Sequence, residues 1–89
     1  AAPRATLRLN VRPDSDGVFV NNVGLGSGSE KAGVQPEDVI TKLNGHVVKS
    51  AEELGNLLTS LKPGETITLD LLRQSKPVQV KVTLDAAER

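Results

Sequence analysis

The chain has 89 residues, of which eleven are basic and eleven acidic; it has no cysteine, and Phe19 is its one aromatic residue. A chain of this length forms one small domain that buries roughly 60–65% of the surface its unfolded form exposes, around a core of Leu, Val, Ile and Ala. Cancelling charges leave no electrostatic footprint for nucleic acid or an anionic membrane. The missing aromatics remove the stacking platform of single-strand binders, and the missing thiols exclude disulfides, a cysteine nucleophile and thiolate metal sites. No apolar run approaches the roughly 18 residues of a membrane-spanning helix, and no signal-like segment opens the sequence. The ends, Ala1-Ala2-Pro3 and Ala86-Ala87-Glu88-Arg89, read as the boundaries of a single domain taken from a longer chain, with its core at about residues 5–85.

In chain order, residues 5–11 alternate strictly. Ala5, Leu7, Leu9 and Val11 fall on one face and Thr6, Arg8 and Asn10 on the other, which predicts a half-buried strand. Pro13-Asp14-Ser15-Asp16-Gly17 is a turn cluster expected to end it, and Val18-Phe19-Val20 opens a more buried strand running to about Val23. Gly24, Gly26 and Gly28 then fall in a loop. A phosphate cradle fits them poorly, because no Gly-Lys-Ser/Thr follows and no parallel βαβ unit surrounds them. Ser29 is the expected N-cap of a short helix and Gly33 the left-handed residue that stops it.

Val39 to Leu43 reads as a strand that reverses at Asn44-Gly45, the pair best suited to positive φ at both central turn positions. Ser50 and Glu53 stand at capping-box spacing, so a second helix should begin at Ala51. Its apolar residues Leu54, Leu57, Leu58 and Leu61 recur at helical spacing, and Pro63-Gly64 should end it at about Lys62. Ile67, Leu69 and Leu71, then Val78, Val80, Val82 and Leu84, alternate as a closing hairpin across Gln74-Ser75-Lys76-Pro77. The sum is a small α+β domain of about five to six short, mostly antiparallel strands in a partly closed sheet, capped by one short and one longer helix.

Chemistry has little to work with. His46 is the single histidine and sits beside an exposed turn. The acids Glu37-Asp38 and Glu52-Glu53 are adjacent in sequence, so their side chains diverge rather than share a site; the second pair suits the start of a helix. No base stands beside a nucleophile and no metal-ligand cluster is visible. The expectation is a non-catalytic domain with no cofactor and no metal.

Gly28-Ser29 followed by Ala32-Gly33 and then Asn44-Gly45, flanked by Gly17-Val18-Phe19-Val20, Asp38-Val39-Ile40, Ser50-Ala51-Glu52-Glu53-Leu54 and Lys62-Pro63-Gly64, resembles the PDZ domain of bacterial HtrA (DegP/DegQ-like) serine proteases. The likeness extends from about Gly17 to Asp85. It implies a module that binds peptides, commonly the C-termini of unfolded proteins, by adding them as a strand beside a helix. It also implies a periplasmic location and a parent whose protease domain lies elsewhere.

On that resemblance the carboxylate-binding loop falls on Thr6-Leu7-Arg8-Leu9, the peptide strand lies along Asn10 and Val11, and Gly55, Leu58 and Thr59 face the peptide from the helix, while Leu54, Leu57 and Leu61 face the core. Arg8 stands where the family usually has glycine. Either its guanidinium pairs with the peptide carboxylate or it is an outward strand residue in water. Gly55, costly inside a helix, either leaves room for a bulky peptide side chain or is a tolerated or close-packing glycine. The resemblance leaves two other roles open: an assembly domain that docks a neighbouring domain or subunit, and a PDZ module of another membrane or processing protease or of a secretion system.

Overall fold

The structure, a computed structural model, describes residues 4–87; Ala1–Pro3, Glu88 and Arg89, read above as domain boundaries, lie outside the described residues. The elements are β1 (Arg4–Thr6), β2 (Leu9–Asp14), β3 (Gly17–Val23), α1 (Gly28–Ala32), β4 (Val39–Leu43), β5 (His46–Val47), α2 (Ala51–Thr59), β6 (Thr66–Arg73), β7 (Lys76–Thr83) and β8 (Asp85–Ala87). Five strands form the antiparallel path β2-β3-β4-β6-β7, β5 pairs with β4, and β1 pairs with β8 in a separate two-stranded sheet. This is the expected α+β class. Val18, Val20, Ile40, Leu43, Ile67, Leu69, Leu71 and Val82 are fully buried, each contributing about 1.5–3 kcal/mol of transfer free energy. Among the described residues no helix is long and apolar enough to cross a membrane.

The strand expected over residues 5–11 is broken. Arg8 takes φ +54°, which ends β1 and starts β2, and the two pieces pair with different partners: Thr6 opposite Asp85, Leu9 opposite Val23. The alternation survived the break because Leu7 still points inward and is buried. Pro13 does not end the strand. It lies within β2 opposite Val18, which an edge strand tolerates because the missing N–H need not join a ladder. The reversal is Ser15-Asp16, closed by the Asp16 amide donating to Asp14 Oδ2 at 3.0 Å. Gly17 is required next, since a Cβ there would fall 2.1 Å from the Ile40 carbonyl oxygen.

The cap of α1 is Ser27, whose Oγ accepts the Glu30 amide at 3.1 Å; Ser29 lies inside the helix, with its hydroxyl committed elsewhere. Gly33 stops α1 in the left-handed conformation, as expected. Ser50 caps α2 by accepting the Glu53 amide, and Glu53 Oε1 accepts the Lys49 amide one residue outside the usual box. The helix ends at Thr59 rather than near Lys62 because Thr59 and Ser60 donate their hydroxyls to the carbonyls of Asn56 and Leu57. These bonds satisfy the last turn locally. The β6–β7 hairpin turns on Gln74-Ser75, both at positive φ, a two-residue reversal made without glycine.

One buried polar cluster ties the layers together. Asp38, 1% exposed, accepts Arg73 Nε at 2.9 Å and Arg73 Nη2 at 2.8 Å, and the same Nη2 donates to the Gly33 carbonyl at 2.8 Å. The Gln35 amide completes the carboxylate shell at 2.9 Å. The end of α1, the turn before β4 and the end of β6 are thereby held in one place. The Asp38 hydrogen bond raises the Arg73 pKa further, against the opposing effect of burial and with help from the carboxylate charge.

Candidate functional site

β2 ends the strand path, so among the described residues one of its edges is unpaired, and α2 packs against both β1 and β2. The connection Leu7-Arg8 enters this edge, and its two carbonyls are held on the domain side. Ser29 Oγ donates to the Leu7 oxygen at 2.7 Å in a buried bond, and the Gly24 amide donates to the Arg8 oxygen at 2.8 Å. No cis peptide bond occurs among the described residues. In a trans peptide the N–H points opposite to the C=O, so the amides of Arg8 and Leu9 face away from Ser29 and Gly24. Arg8 at φ +54° puts these successive N–H groups on one side, a concavity of donors suited to an anion.

The rest of β2 continues the pattern. Because the Gly24 amide reaches back to Arg8, Leu9 and Val23 form a non-hydrogen-bonded pair, and the N–H and C=O of Leu9 face the free edge. The pleat repeats this at Val11 and Pro13. Pro13 has no N–H, so complete donor and acceptor pairs are offered at Leu9 and Val11. The side chains of Leu9 and Val11 pack at the margin of the core, while Asn10 and Arg12 are exposed.

Thr6, Leu7, Arg8, Leu9, Asn10 and Val11 are thus brought to one edge, but with unequal roles. Leu7 is buried and contributes its carbonyl to an anchor rather than a surface. Thr6 Oγ1 accepts the Arg8 amide at 3.1 Å, so a hydroxyl already sits in the concavity of donors. Arg8 is exposed, in the break between strands rather than within one. Its Cβ and Nε lie 3.1 and 3.6 Å from where a Cβ on Gly24 would stand, so the absent side chain of Gly24 gives the arginine its path. The left-handed conformation of a non-glycine residue costs about 1–2 kcal/mol, offset here by the two carbonyl anchors.

On α2, Gly55 and Thr59 are exposed, and a Cβ on Gly55 would meet nothing within 4 Å; close packing does not explain this glycine. Leu58 is half-buried and packs against the core, as do Leu57 and Leu61, so the division of the helix into core-facing and peptide-facing leucines is less sharp than the resemblance implied. Leu57 also lines a hollow of about 370 Å³ with His46, Val47, Glu53 and Asn56, to which none of the nine expected site residues contributes. Ser29 and Gly24 hold the Leu7 and Arg8 carbonyls of this candidate site, although their sequence context suggests only a cap and a loop; the tight spacing of Gly24, Ser27 and Ser29 is their only signal.

The PDZ domain family model matches residues 6–84. This chain is a PDZ domain. It is of the kind carried by HtrA-type proteases: it is 48% identical over 71 residues to the periplasmic pH-dependent serine endoprotease DegQ of Escherichia coli, covering 80% of this chain and 16% of that protein. It is 38% identical over 73 residues to the serine protease Do-like HtrA of Bacillus subtilis, covering 81% and 16%. The PDZ domain therefore spans about a sixth of these relatives, 16% of each. The HtrA-type protease AlgW, solved with a decapeptide, aligns at a TM-score of 0.90 over 98% of this chain and 30% of that one, at 18% identity. The HtrA3 PDZ domain bound to a phage-derived ligand, FGRWV, aligns at 0.81 over 94% and 88%, at 20% identity. At these identities the likeness is one of fold.

Proposed function

We propose that this PDZ domain binds the C-terminal or extended segments of unfolded proteins by adding them as a strand to the free edge of β2, beside α2. In this reading it is the non-catalytic, ligand-sensing module of a periplasmic HtrA-type serine protease, and regulates a protease domain elsewhere in that protein. The observation that carries the reading is the pair of carbonyl anchors. Leu7 and Arg8 have their carbonyls tied to Ser29 and Gly24, which turns the Arg8 and Leu9 amides outward at the start of an unpaired edge. A terminal carboxylate fits those donors, and the backbone groups of Leu9 and Val11 supply the ladder. AlgW and the HtrA3 domain, solved with a decapeptide and a phage-derived ligand, support peptide as the ligand class. Similarity to periplasmic DegQ supports the location.

Titrating the isotopically labelled domain with a short free-acid peptide ending in an apolar residue tests this. Amide shifts are expected at Arg8 to Arg12 and on α2 at Gly55, Leu58 and Thr59; shifts confined to the hollow at His46 and Leu57, or none, overturn it. A second reading, in which the same edge docks a neighbouring subunit, is favoured by Thr6. Its hydroxyl already satisfies the Arg8 amide, so an internal strand without a terminal carboxylate could pair with β2. Mass measurement of the intact parent with this domain present and deleted separates the two.

A further inference from the structure

Arg12 is exposed on β2, and its guanidinium lies over the ring of Phe19, 4.4 Å from the centroid. The two residues are cross-strand partners, so the stacking is built into the register. Stacking uses the flat face of the guanidinium and leaves its N–H donors free at the rim. Among the described residues the one ion pair is Arg73–Asp38, which leaves the Arg12 charge uncommitted. The nearby carboxylate of Asp14 is turned back to the Asp16 amide.

The free edge fixes what Arg12 would meet. A carboxylate at the Arg8 and Leu9 amides places a peptide C-terminus at the start of β2, so the peptide runs antiparallel. Its terminal residue then lies beside Leu9 and the second residue before it beside Val11, the two positions whose backbone faces the edge. The intervening residue lies beside Asn10, and the third residue before the end beside Arg12, both on the exposed face. Pro13, without an N–H, ends the ladder just past this point. We infer that Arg12 is a specificity-determining residue that selects peptides with Asp or Glu at the third residue before the C-terminal one. Asn10, neutral and 3.4 Å from the Asn21 amide, imposes no charge preference on the residue immediately before the end. The inference rests on the strand-addition reading.

The test uses free-acid peptides of one sequence with Glu, Ala or Lys at that third position, and a second set varied in the same way at the residue immediately before the end. Affinities are measured by fluorescence anisotropy at low and physiological salt. For the unaltered domain, Glu is expected to bind about threefold tighter than Ala and Lys about threefold weaker, with the spread narrowing as salt rises and no trend in the second set. Arg12→Gln should abolish the spread and Arg12→Glu should reverse it. Equal affinities across the first set, or a preference for Glu that persists in Arg12→Gln, overturns the role of Arg12. Absence of binding by every peptide overturns the strand-addition reading itself.

Discussion

Ser29, inside α1, donates its hydroxyl to the carbonyl of Leu7 at 2.7 Å, a buried bond between residues 22 apart in sequence. It links the short helix to the loop that turns two amides outward. Ser29→Ala should leave the Leu7 carbonyl unsatisfied and lower stability by about 1–2 kcal/mol, measured by urea unfolding. It should also weaken a free-acid peptide more than its C-terminal amide, because only the former uses the loop donors; equal losses would assign Ser29 to stability alone.

Arg73 plays the corresponding part for the fold. Arg73→Met should remove two of the three donors to the buried Asp38 carboxylate, leaving only the Gln35 amide, and cost about 2–4 kcal/mol, since a buried charge is left without its charged partner. The pH dependence follows from the direction of the shift. The folded-state pKa of Arg73 is raised, so its contribution is fully present below the unfolded-state value and is lost only as pH climbs past that already high value. Between about pH 6 and 9 the difference in stability between Arg73→Met and the unaltered domain, read from urea midpoints, should therefore stay constant.

Gly55 has open space where its side chain would stand. Gly55→Ala should raise stability by about 0.5–1 kcal/mol through helix propensity, seen as a higher midpoint of thermal unfolding. Gly55→Leu should fill this space and, if it belongs to the peptide groove, weaken peptides with large terminal residues more than those ending in Ala. Undiminished binding of the large-ended peptides would remove Gly55 from the site.

Gly28 is different in kind. A Cβ there would fall 1.9 Å from the Thr83 carbonyl oxygen, and its amide donates to Asp85 Oδ2 at 2.7 Å. Gly28→Ala should push α1 off the end of β7 and cost about 2–3 kcal/mol, measured by urea unfolding, with faster exchange of the amide at position 28 than in the unaltered domain.

Elements whose cause is local were legible in the sequence. Asn44-Gly45 turns at φ +51° and +83°, Ser50 caps α2, and Gly33 stops α1, each a residue whose own chemistry selects the conformation. Where a distant group decides, the sequence misled. Arg8 adopts positive φ inside a stretch whose alternation reads as one continuous strand, with its own carbonyl and that of Leu7 held by Gly24 and Ser29. Ser29 reads as the cap from its residue type, but Ser27, two residues earlier, has the same chemistry and fills that position. The candidate site was legible as an alternating stretch near β2 and a helix with a glycine, but not the outward turn of the amides, which depends on Ser29 and Gly24; nor was the Asp38–Arg73 pair that holds the fold, which joins residues 35 apart.

The central claim is that the Arg8 and Leu9 amides capture a terminal carboxylate at the head of the β2 edge. Calorimetric titration of the unaltered domain with one peptide as its free acid and as its C-terminal amide tests it most directly. Hydrogen bonds to a charged group are worth about 1.5–3 kcal/mol, so the amide should bind at least about tenfold more weakly. Equal affinities for the two would contradict it.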